Sequence, residues 1–153
     1  SLKKLINLAK KIKKNKYLKT ASSLSKEKTT AIVGADILHH INIKKYFNLF
    51  KKKINKNGII IFSEPNFLNP SWLFFITLFL DWREEKRIIF CTSINLINQL
   101  KKNGFKNIKL IGLGLLPTIF FNKLPFLAKI NYFLGKLPLM KFFAYRIILQ
   151  AEK

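Results

Sequence analysis

AIVGADILHHI at residues 31–41, followed by NGIIIFSEPNFLN at residues 57–69, decides the fold of this chain. Residues 30–36 form a compact apolar run that ends in Gly34-Ala35-Asp36, and residues 59–63 (IIIFS) form a second. Neither run alternates apolar with polar residues. A strand wetted on one side alternates, whereas a strand covered on both sides does not. Both runs are therefore expected to be buried parallel strands in a sheet with helices on both faces. Between them Asn42 stands where a helix N-cap belongs. Ile43, Tyr46, Phe47, Phe50 and Ile54 follow at spacings of three and four, which predicts a helix through about Lys53. Asn57-Gly58 is a turn pair and is expected to stop that helix and reverse the chain.

The pattern continues outward in both directions. Leu2, Leu5, Ile6, Ala9 and Ile12 predict an amphipathic helix over residues 2–14. A short candidate strand follows at 16–20, then a Ser/Thr/Lys-rich loop over 21–30. Downstream, Pro65, Asn66, Asn69 and Pro70 mark a loop leading into a short aromatic helix, with a charged turn over 81–87. Thr92 or Ser93 caps a helix predicted to run through Lys102 and to end before Gly104. Residues 106–113 read as a strand, 115–141 as an apolar insertion broken by prolines, and 142–150 (FFAYRIILQ) as a last strand. Helices alternating with strands argue for a layered α/β sheet. No repeat and no linker divides the chain, so one domain over residues 1–153 is expected.

Composition narrows the function classes. Hydrophobic residues make up 49% of the 153, so a packed core is expected rather than disorder. The formal net charge is +22. Such an excess attracts polynucleotides and anionic membranes, but the lysines fall on polar faces of periodic segments, where solvation accounts for them. No nucleic-acid-binding motif is present, and nucleic acid is not an expected partner. Cys91 is the single cysteine, which excludes an intrachain disulfide and any zinc-finger spacing. The longest apolar run, residues 72–80, is far shorter than the roughly 18 residues of a membrane span. A cytoplasmic location is expected, with contact between the apolar insertion and a membrane surface left open.

Three groups of residues carry a family resemblance. Gly34-Ala35-Asp36-Ile37-Leu38-His39-His40 forms a small-residue turn and a Leu-His-His helix start after one strand. Asn57-Gly58 followed by Phe62-Ser63-Glu64-Pro65-Asn66 brackets the next. Gly104-Phe105 precedes a third strand, and a final strand closes the chain. In this order and spacing they resemble class I S-adenosylmethionine-dependent methyltransferases of the small-molecule type, from the fourth strand to the seventh. The resemblance implies a Rossmann-like methyltransferase sheet, truncated at its N-terminus, with an antiparallel last strand. It implies S-adenosyl-L-methionine as cofactor and a small-molecule or lipid-like methyl acceptor. The family's glycine-rich cofactor turn and its acidic ribose-binding residue would lie before Ser1. The chain is accordingly expected to be a fragment, inactive alone. Gly112 and Gly114 echo a Gly-x-Gly pair, but no suitable helix follows them.

Site residues are carried over from the same resemblance. Gly34 and Ala35 would let the cofactor approach closely, and Asp36 would help position it. His39 or His40 would take a proton from the acceptor, as histidine does near neutral pH. Glu64 and Asn66 would line the acceptor pocket. No metal is expected, since adjacent histidines point apart on a helix and no third ligand is evident. Bland roles stand beside these: capping for the histidines, a loop hydrogen bond for Glu64, turn formation for Asn66. A basic nucleic-acid-binding module and a peripheral membrane protein are the alternatives in other classes.

Overall fold

The chain is described from a computed structural model, which covers residues 28–121 and 123–153. The helix expected over 2–14, the strand over 16–20 and most of the loop over 21–30 lie outside the described residues. In chain order the elements are strand β1 (Thr29–Ala35), helix α1 (Ile43–Lys53), strand β2 (Ile54–Pro65), helix α2 (Ser71–Phe79), the short helix α3 (Trp82–Glu85), helix α4 (Ser93–Lys102), strand β3 (Lys106–Leu113), helix α5 (Pro125–Lys136) and strand β4 (Arg146–Glu152).

The four strands make one sheet in the order β1-β2-β4-β3. β1 runs parallel to β2, and β4 is inserted antiparallel between β2 and β3. Register places Gly34, Phe62, Leu149 and Leu110 in one row across the sheet. Side chains alternate along a strand, so this row belongs to one face. That face is the core. Phe47 and Phe50 of α1 close over Phe62, with the rings of Phe50 and Phe62 stacked at 5.6 Å. Leu96 and Leu100 of α4, together with Phe105, complete it.

The sequence caps act as expected. Asn42 accepts a hydrogen bond from the Lys45 N–H at 3.0 Å, and Thr92 accepts one from the Asn95 N–H at 3.1 Å. Each satisfies an orphan donor of the first helical turn. Gly104, at φ 71°, follows α4 in the left-handed conformation that a helix C-terminus commonly uses.

Three expectations need correction. First, β1 is not buried: Val33 is 72% exposed. Among the described residues β1 pairs on one side only, and the sheet face carrying Val33 has no helix over it, so one face is covered rather than two. Second, Asn57-Gly58 does not separate helix from strand. α1 passes directly into β2 at Ile54, and the pair lies inside the strand, where Asn57 takes φ 64° and the β1–β2 register shifts. A bulge is the other structure such a pair makes. Third, the last strand begins at Arg146, not at residue 142. The carbonyls of Phe142, Phe143 and Ala144 are taken by the side-chain amides of Asn66 and Asn69, so they cannot join a sheet ladder. Residues Met140–Phe143 form a 3-10 turn instead.

Candidate active site

β1 ends at Ala35, and the chain swings away at Asp36, whose φ is 52°. A 3-10 turn, Leu38–His40, follows immediately. Glu64 closes this turn from the neighbouring strand. By alternation Glu64 faces the same side as Ile60 and Phe62, so its carboxylate enters the core and is fully buried. A buried carboxylate costs several kcal/mol, of order, unless donors surround it. Glu64 has three. Its Oε1 accepts the backbone N–H groups of Ile37 and Leu38, both at 3.0 Å, and its Oε2 lies 3.1 Å from His39 Nδ1.

His39 is thereby fixed through Nδ1, whose N–H donates to the Glu64 carboxylate. Glu85 Oε2, from α3, lies 3.5 Å from Nε2. His39 is buried, whereas its neighbour His40 is exposed, with the two ring centroids 4.0 Å apart. The structure thus separates two histidines that the sequence leaves equivalent. Cys91 stands against the same cluster: its Sγ, a ring nitrogen of His39 and a carboxylate oxygen of Glu64 lie within 4.8 Å of one another. Burial, with the Glu64 charge adding to it, pushes the Cys91 thiol far above its ordinary range.

The remaining sequence candidates go elsewhere. Asp36 is exposed and pairs with Arg146 of β4, Oδ1 to Nη2 at 2.7 Å. Gly34 packs against the core: a Cβ there would meet the Phe62 ring at 2.6 Å. Ala35 is exposed at the strand end. Asn66 is fully buried, donating to the carbonyls of Phe142 and Ala144 at 2.8 and 2.9 Å and accepting from the Ser93 N–H at 2.9 Å. Its amide holds three chain segments together. Sequence reasoning missed Glu85 and Arg146. Both are long-range partners, 46 and 110 residues from the groups they meet, and no local pattern marks them.

Solved structures supply the comparison. A methyltransferase from Archaeoglobus fulgidus superimposes with a TM-score of 0.59 at 15% identity, covering 92% of this chain and 69% of its own. One from Mesorhizobium loti superimposes with a TM-score of 0.52 at 13% identity, covering 87% of this chain and 65% of its own. Both are S-adenosylmethionine-dependent. The fold is that of the class I S-adenosylmethionine-dependent methyltransferases. No protein-family model and no curated protein matches the sequence. The chain spans about two thirds of the length of each of these methyltransferase structures.

In a methyltransferase of this fold the ligands gather at the carboxyl ends of the parallel strands. Here those ends present Ala35 and Asp36 from β1, and the Glu64–His39 pair between β1 and β2. They do not by themselves make a cofactor cradle. Gly34 is filled by Phe62, Asp36 is engaged by Arg146, and neither of two cavities, one beside Asn42 and Gln99 and one beside Phe74 and Phe120, is lined by residues 34–36.

Proposed function

We propose that this chain is the acceptor-side portion of an S-adenosylmethionine-dependent methyltransferase acting on a small-molecule or lipid-like acceptor. The observation that carries the reading is the buried imidazole of His39, bonded through Nδ1 to Glu64 and with Nε2 3.5 Å from Glu85, at the end of β1. When bound, the cofactor supplies an electrophilic methyl group on sulfur. This chain's own residues supply orientation and proton transfer. Glu64 fixes the ring so that Nε2 points towards Glu85, and Nε2 takes the proton of the acceptor's N–H or O–H. On this reading residues 1–153 alone transfer no methyl group, because their sequence contains no glycine-rich turn that follows a strand and opens a helix.

The test is transfer of a labelled methyl group from S-adenosylmethionine to mixed pools of polar metabolites and of extracted lipids, using the natural polypeptide that carries these residues. Labelling of one pool by the unmodified protein, lost in His39→Gln, supports the reading. Labelling that survives His39→Gln removes His39 from the proposal, and no labelling of either pool overturns the assignment.

A further inference from the structure

A large apolar surface lies away from the Glu64–His39 cluster. Phe74, Leu78 and Phe79 of α2 are each about 70% exposed, at 69%, 70% and 69%, and Phe120, in the turn Thr118–Phe121, is 67% exposed. They are contiguous, since Phe74, Phe75, Leu78 and Phe79 share an apolar cavity of about 240 Å3 with Pro117 and Phe120. α5 packs against that turn and extends the surface. Its inner side is set by Asn131, which bonds the backbone of Leu115 and Leu116, and by Gly135, which meets the backbone of Gly114. The other side of α5 carries Phe126 and Phe133, 72% and 64% exposed. A helix of a water-soluble domain buries its aromatic stripe and wets its polar one. α5 does the reverse, with the amide and the glycine inside.

The charge on the α5 part of this surface has one sign. Between Lys86 and Ala151 the sequence has no Asp or Glu, and the charged residues on and next to the 118–121 turn and α5 are Lys123, Lys129, Lys136 and Lys141, whereas Asp81 and Glu85 follow the end of α2. Among the described residues no helix is long and apolar enough to cross a membrane. Exposed aromatics accompanied along α5 by lysines as the only charged residues, on elements too short to span, match the requirements of an anionic bilayer surface: rings enter the headgroup boundary, and ammonium groups stay at the phosphate level. We infer that α2, the 118–121 turn and α5 form a docking face for anionic lipid bilayers. A second protein copy is the less suited occupant, because two such faces would bring their lysines together.

The inference is independent of methyl transfer and is tested without cofactor. The natural polypeptide carrying these residues is sedimented with phosphatidylcholine vesicles and with vesicles containing about one third phosphatidylserine. Binding is expected to be about tenfold or more tighter to the anionic vesicles, and to weaken as salt is raised. Two variants read the two halves of the face. Phe120→Glu with Phe126→Glu removes aromatic insertion, and Lys123→Gln with Lys129→Gln and Lys136→Gln removes the rim. Each is expected to lower binding to anionic vesicles by about tenfold while the melting temperature stays put, because every side chain involved is exposed. Equal binding to both vesicle types, or no binding to either, overturns the inference. So does a concentration-dependent dimer, dispersed by Phe120→Glu with Phe126→Glu, that forms in place of vesicle binding.

Discussion

Glu64 Oε2 lies 3.1 Å from His39 Nδ1, while the other oxygen of the same carboxylate accepts the N–H groups of Ile37 and Leu38. One buried side chain therefore fixes both the backbone of the turn after β1 and the ring that the turn carries. The two roles separate by substitution. Glu64→Ala leaves three donors unpaired, two of them buried, and is expected to cost roughly 3–5 kcal/mol of stability. Glu64→Gln keeps a carbonyl for the backbone donors but offers an N–H to Nδ1, which forces the proton onto Nε2. Methyl transfer should fall much further in Glu64→Gln than its smaller loss in melting temperature explains. Thermal unfolding and initial rates on the same samples check this.

His39 and His40 are predicted to differ sharply. His39 is buried and bonded, whereas His40 is exposed. His39→Gln is expected to lower kcat by about a hundredfold or more, the usual contribution of a positioned base. His40→Gln should change it less than about threefold, as an exposed group outside the hydrogen-bonded cluster. Steady-state kinetics of the two variants decide between the residues.

Cys91 is fully buried, and its thiol is pushed far above the ordinary range by desolvation first and by the Glu64 charge second. The neutral thiol is thus favoured in the folded state. Its contribution to stability is complete below about pH 9, where an unfolded thiol ionises, and is lost as pH rises towards the folded value. Cys91→Ser should flatten the decline of the melting temperature between about pH 9 and 11. Native protein at pH 8 should resist alkylation by iodoacetamide, while urea-unfolded protein should react at the rate of a free thiol.

Asn66 gives an isosteric test of its clamp. Its amide nitrogen donates to two carbonyls, of Phe142 and Ala144. Asn66→Asp replaces that donor by an acceptor aimed at the same carbonyls. It is expected to destabilise by roughly 2–4 kcal/mol, at least as much as Asn66→Ala, although Asp has nearly the volume of Asn. Denaturant midpoints of the two variants check the order.

Gly112 and Gly135 mark where β3 and α5 touch backbone to backbone: a Cβ on Gly112 would strike the Gly135 carbonyl oxygen, and would lie 2.7 Å from Ala144 Cβ. Gly112→Ala has no space to relax into and should cost roughly 1–3 kcal/mol. It should also disturb the docking face that α5 carries, which vesicle sedimentation reads separately from melting. The Gly-x-Gly echo at 112–114 thus has a packing origin.

The parts of the fold legible in the sequence are those fixed by local rules. α1 and α4 follow from apolar spacing and from the caps Asn42 and Thr92, and β3 matches its apolar run end to end. What local rules do not carry are choices made by distant partners. The last strand starts late because Asn66 and Asn69, more than seventy residues upstream, claim the carbonyls of residues 142–144. β1 reads as buried because its composition is apolar, yet burial depends on what lies against it. At the site, the sequence marks Glu64 and the histidine pair by their place after strands. Which histidine turns inward is set by the carboxylate waiting on β2, and Glu85 reaches His39 only through the folding of the intervening helices.

The most direct test of the account is a calorimetric titration of S-adenosylmethionine into residues 1–153 and into the natural polypeptide that carries them. Saturable one-to-one binding is expected of the natural polypeptide and none, or binding at least about a hundredfold weaker, of residues 1–153, because the described strand ends hold no cofactor cradle. Absence of binding by the natural polypeptide would contradict the methyltransferase reading. Binding of equal strength by residues 1–153 would contradict the claim that these residues form only the acceptor side.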